Sequence, residues 1–283
     1  MRNRRAGFSL AELLVVAVLG AATLAAAYRV LVVQERGYRY QAARVDAQRT
    51  ARVALQVLAG ELREASPDAG DLLLAGDDSL TVRVTRKFGI VCDVNNSAPW
   101  LETWVFGVDA FEAGDSLLVF ADGSPTTGGD DEWGTAEISD EETIDPSECG
   151  ADWGDLDPQQ LVLAGIADVD ASDIRRGGVV RAFQTFTYAV YEAEEDGRWA
   201  LGRKEVDGDI ALLLEGVAPR DQGGLEIRYY QADGTQIDPT TAALRETVRR
   251  IEIVVRTRSQ GPVTSDHDFY NDSLVTQIHL RNG

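Results

Sequence analysis

The chain has 283 residues, 44% of them hydrophobic, and its 47 acidic against 27 basic residues leave a formal charge of −20. That balance argues against a nucleic-acid partner, which needs a basic footprint. Two histidines and two cysteines leave few general bases and little imidazole or thiolate for a metal centre.

The first element is a basic leader, with Arg2, Arg4 and Arg5 inside residues 1–7, followed by an apolar run. From Leu10 to Val33 the only charged residues are Glu12 and Arg29. At 1.5 Å per residue, roughly 20 residues cross a hydrocarbon core of ~30 Å, so residues 8–33 are long enough to span a membrane. The leading arginines place the N-terminus in the cytoplasm and the rest of the chain outside. Glu12 is the anomaly, because a carboxylate inside a membrane helix costs a few kcal/mol and marks a functional position by default. The same residues also fit an ordinary secretory signal cut after Ala25-Ala26-Ala27, releasing a soluble chain that starts at Tyr28. Against that stand Glu12 inside the apolar region and the unbroken continuation through Val30-Leu31-Val32-Val33.

Helical patterning continues past the span. Tyr38, Ala42, Val45, Gln48, Ala51, Leu55, Leu58 and Leu62 fall on three- and four-residue steps with only Gln48 polar, and Ser66-Pro67 ends the pattern. Residues 8–65 thus form one helix of roughly 85 Å, half in lipid and half packing a domain. Strand texture follows over 66–283. The extended segments are 80–85, 90–94, 116–120, 160–163, 179–191, 198–204, 225–231, 248–256 and 274–280, with a hairpin turn at Glu194-Glu195-Asp196-Gly197. The sum is an α+β domain, a mainly antiparallel sheet with the long helix against one face.

Charge is concentrated in residues 88–174, which hold 21 acidic residues and no Lys, Arg or His. This stretch reads as an acidic loop insertion, solvated and self-repelling. Calcium is an alternative use for it. Asp168, Asp170 and Asp173 faintly echo a calcium loop without its turn Gly and distal Glu, and Asp130 and Asp131 stand beside Gly128-Gly129. A docking surface for a basic partner is a third. Otherwise no cofactor is indicated. Cys92 and Cys149 fit one disulfide in an exported chain, closing a 58-residue loop worth roughly 4 kcal/mol. Arg249, Arg250, Arg256 and Arg258 are the one basic cluster, and they read more simply as a balanced sheet face. No hydrolase, metalloprotease, P-loop or dinucleotide motif occurs, so the chain is not read as an enzyme.

The segment Gly7-Phe8-Ser9-Leu10-Ala11-Glu12-Leu13-Leu14 resembles the prepilin-type signal of type IV pilins and type II secretion pseudopilins. The resemblance implies cleavage by prepilin peptidase between Gly7 and Phe8, N-methylation of Phe8, and a 276-residue mature chain with Glu12 at its fifth position. It also implies a pilin-like fold and an inner-membrane subunit with its C-terminal domain in the periplasm. An assembly platform and its ATPase would extract such a subunit into a filament with other pilin or pseudopilin subunits. There Glu12 would meet the N-terminal amine of a neighbour's Phe8. Further on, Tyr188-x-Val190-Tyr191, Trp199-x-Leu201-Gly202-Arg203, Leu213 to Val217, Leu225-x-Ile227-Arg228-Tyr229 and Val248 to Val255 are similar to larger minor pilins and to the J-class minor pseudopilin, as is the end Leu280-Arg281-Asn282. Size and this pattern imply a place at the tip or in initiation. Minor pilin and minor pseudopilin both stay open, and from another class so does an anchored or secreted acidic module that holds calcium or another ligand.

Overall fold

The computed structural model describes residues 9–95, 100–107, 109–150, 156–193, 198–206, 208–259, 261–262 and 269–280. Its first element is a single helix, α1 (Leu10–Leu62), of 53 residues or about 80 Å. No proline interrupts it, and Pro67 opens a short 3₁₀ turn just beyond its end. Buried side chains begin only at Ala47 and continue through Ala51, Ala54, Leu55, Leu58, Ala59 and Leu62. Of the expected stripe, Tyr38, Ala42 and Val45 are therefore exposed, because the globular part starts below them.

Nine strands follow in one antiparallel sheet: β1 (Leu72–Ala75), β2 (Ser79–Asn95), β3 (Trp100–Phe106), β4 (Ser116–Asp122), β5 (Asp131–Thr143), β6 (Pro158–Ala167), β7 (Val179–Glu192), β8 (Trp199–Glu205) and β9 (Ile210–Glu215). A second sheet has the order β11 (Gln236–Ile237), β10 (Leu225–Tyr230), β12 (Arg250–Arg258), β13 (Asn271–His279), with the short helix α2 (Ala242–Glu246) between β11 and β12 in sequence. The helix was expected on one face of one sheet. It instead shares a core with both, where Leu55, Leu58 and Leu62 meet Leu80, Val82, Phe186 and Tyr188 of the first sheet and Ile227, Ile251 and Ile253 of the second. The sheets are tied directly as well. Ile227 N–H donates to Asp77 O at 2.7 Å, the Tyr229 hydroxyl to Gly76 O at 2.9 Å, and Arg245 Nε to Leu72 O at 2.8 Å.

The largest departure from expectation lies in residues 88–174. They were read as an acidic loop insertion with extended segments at 90–94, 116–120 and 160–163; those segments lie in β2, β4 and β6, and the stretch supplies all of β3 and β5 besides. With β7 these strands pair in a closed ring, β2–β3–β6–β5–β4–β7 and back to β2. A six-stranded barrel is narrow enough to be filled by side chains. Val91, Leu101, Leu117, Ile138, Leu161 and Val180, one from each strand, are all 1% exposed or less in its interior. Phe111 joins that interior, with its backbone N–H and C=O bonded by the buried Gln159 side chain at 2.9 and 3.2 Å. The acidic residues sit on the outside of the same strands, as period-2 alternation requires. Glu137 of β5 precedes the buried Ile138 in this way, and a register shift between Ile138 and Asp140 leaves Asp140 exposed as well.

β2 and β7 belong to both parts. They pair from Ser79 with Ala189 to Ile90 with Val179, and Arg86 is an extra residue between the Thr85 and Lys87 pairs. A bulge of this kind shifts the side-chain alternation by one. Leu80, Val82 and Val84 face the helix before it, and odd-numbered Val91 faces the barrel interior after it.

Candidate functional site

The helix N-terminus is closed by a capping box. Ser9 is the cap residue, with φ −76° and ψ 151°, and its Oγ accepts the Glu12 N–H at 3.2 Å. In return Glu12 Oε2 accepts the Ser9 N–H at 3.0 Å. Ser-x-x-Glu ahead of an apolar run is the sequence signature of this motif. Ser9-Leu10-Ala11-Glu12 carries that signature within the segment that resembles the prepilin-type signal. Gly7 and Phe8, the expected processing residues, lie outside the described residues. From Leu10 to Val33 the large apolar side chains stand exposed, among them Leu10, Leu13, Leu14, Leu19, Leu24 and Leu31. α1 is the one helix among the described residues long and apolar enough to cross a membrane.

Cys92 and Cys149 are bonded to each other, with Cα atoms 5.1 Å apart. They pack with Trp104 and the half-buried Phe106, Ile144 and Leu156, so the bond pins the turn before Gly150 to β2. The aspartates considered for calcium do not form one group. Asp130 and Asp131 come together with Asp122, one carboxylate oxygen from each lying within 4.8 Å of the others. Asp122 and Asp131 are register partners across β4 and β5, a pairing that sequence spacing could not reveal. Asp168 instead accepts the Thr135 hydroxyl at 3.1 Å. Asp170 accepts the Ser172 N–H and hydroxyl at 2.9 and 2.8 Å, and these bonds hold its carboxyl below the usual range.

The basic cluster is engaged by neighbouring carboxylates and rings. Arg256 reaches Glu226 at 2.8 Å, Arg249 reaches Asp68 at 3.2 Å, Arg250 lies over the Tyr230 ring at 4.3 Å and Arg258 over Phe269 at 3.7 Å. Arg228 completes the ladder with Glu226 and Glu252. His279 is exposed on β13, and His267 lies outside the described residues.

Residues 2–28 match the prokaryotic N-terminal methylation motif. The motif, the long apolar helix behind it and the β domain fit the type IV pilin and pseudopilin family. Such a motif implies processing by prepilin peptidase, a membrane-anchored helix and assembly with other pilin subunits. It marks structural subunits, which are generally not enzymes. No curated protein and no solved structure gives a significant match to the chain.

Proposed function

We propose that the chain is a minor subunit of a type IV pilus or type II secretion pseudopilus. It is cut between Gly7 and Phe8, methylated on Phe8, and anchored by residues 8–33 in the inner membrane with its β domain in the periplasm. The observation that carries this is the continuity of the methylation motif with α1, which runs through Ala25-Ala26-Ala27 to Leu62 without a break. An exposed apolar half and a packed half on one helix suit a subunit that exchanges lipid for the helices of its neighbours. The barrel favours low copy number, since its bulk beside α1 would crowd a repeating shaft.

In a filament core an unpaired carboxylate is costly, so Glu12 selects the axial offset that brings a neighbour's Phe8 amine to it. Mass spectrometry of the mature N-terminus tests the assignment. The expected result is an N-methylated Phe8, and a chain beginning at Tyr28 would overturn it. Glu12→Val and Glu12→Ala are expected to insert and be cut normally while entering filaments poorly. Wild-type incorporation of both would refute the pairing.

A further inference from the structure

A carboxylate offers two oxygens, and in a water-poor environment each needs a partner. In this chain one is already engaged, because Glu12 Oε2 holds the Ser9 N–H while Ser9 Oγ holds the Glu12 N–H. Among the described residues nothing else bonds the Glu12 side chain. Helical side chains lean toward the N-terminus, so the box aims the carboxylate at the end of the helix where cleavage would create an amine.

We propose, building on the filament assignment above, that Ser9 is a positioning residue for subunit incorporation. Its hydroxyl locks the first turn and thereby fixes the Glu12 carboxylate, with Oε2 spent on its own chain and Oε1 presented to the cation of a neighbouring subunit. Without the hydroxyl, the Glu12 N–H loses its acceptor in a medium that supplies no water to replace it. The first turn frays and the carboxylate samples other rotamers. The two roles of Glu12 are separable, since Gln can close a capping box but carries no charge.

The test uses the full-length precursor expressed with its assembly system, comparing Ser9→Ala, Ser9→Thr and Glu12→Gln with wild type. Membrane level, N-terminal processing and the share recovered in the filament fraction are measured for each. Ser9→Ala is expected to be processed normally and to lose about fivefold in incorporation, the shift that loss of a cap worth ~1 kcal/mol produces. Ser9→Thr restores the hydroxyl and the incorporation. Glu12→Gln keeps the protected first turn, read by amide exchange of the detergent-solubilised protein, yet incorporates poorly. Wild-type incorporation of Ser9→Ala overturns the positioning role and leaves the filament assignment intact, as does a Ser9→Thr variant no better than Ser9→Ala. Absence of the wild-type chain itself from filaments overturns both.

Discussion

Asp71 is 1% exposed, in the connection between α1 and β1, and Arg181 of β7 answers it with Nη2 at 3.2 and 3.3 Å from its two oxygens. The Ser66 N–H donates to the same carboxylate at 2.8 Å, and the Arg181 guanidinium lies over the Trp133 ring at 4.6 Å. One polar cluster thus joins the helix end, a central strand and the barrel wall. Burial raises the Asp71 pKa above its usual value, outweighing Arg181 and the Ser66 N–H. A buried pair broken on one side leaves a bare charge, so Asp71→Ala is expected to cost about 3–5 kcal/mol. Replacing both partners with apolar residues, Asp71→Leu with Arg181→Met, should cost much less, and denaturant titration of the two variants checks the difference. Asp78 behaves oppositely, its carboxyl held below the usual range by the Arg220 hydrogen bond. A folded-state pKa below the unfolded one gives stability that is present above about pH 4 and lost as pH falls through the folded value. Arg220→Ala should remove that contribution, so the variant loses less stability than wild type on acidification, as acid-unfolding curves would show. Neither contact was legible in sequence: Asp71 and Arg181 are 110 residues apart and Asp78 and Arg220 are 142 apart. Ser9 and Glu12 were, because a helix cap is local.

At the scale of elements, α1 divides near Ala47 into a half without burial and a half under two sheets. Leu58 is 1% exposed and Val45 65%. Leu58→Ala is expected to destabilise by about 2–5 kcal/mol and Val45→Ala by less than about 0.5, a contrast that thermal unfolding in detergent would reveal. The three-to-four-residue periodicity of α1 was plain in the sequence, and so were β7, β10 and β12, whose branched and aromatic residues alternate with polar ones. β5 was not. Seven of the residues from Asp130 to Glu142 are acidic, and only Gly134 and Ile138 of the strand are buried, so its alternation is drowned by charge. What makes this segment a strand is non-local, namely the ladders to β4 and β6 on either side. The disulfide belongs to the same outer half. Loop-closure entropy puts Cys92→Ser with Cys149→Ser at about 4 kcal/mol. The loss should surface first as protease cleavage around residues 144–150, with the shared core around Leu58 still protected.

For the whole molecule, the charge has an address. The described acidic residues of 88–174 sit on or beside a barrel whose inside is apolar, while the sequence outside 88–174 holds 27 basic and 26 acidic residues. Self-repulsion of one sign on a compact body is relieved by screening. Raising salt from millimolar to about 0.5 M should therefore raise the melting temperature, and replacing Glu137, Asp140 and Glu141 with Gln or Asn should flatten that dependence. The barrel is also not hung on a tether. β2 and β7 run through both halves and pair at eleven positions from Ser79 to Ile90. A torque on the barrel would thus be met by a hydrogen-bonded ribbon rather than by a swivel. Whatever grips its far end would turn the stalk with it.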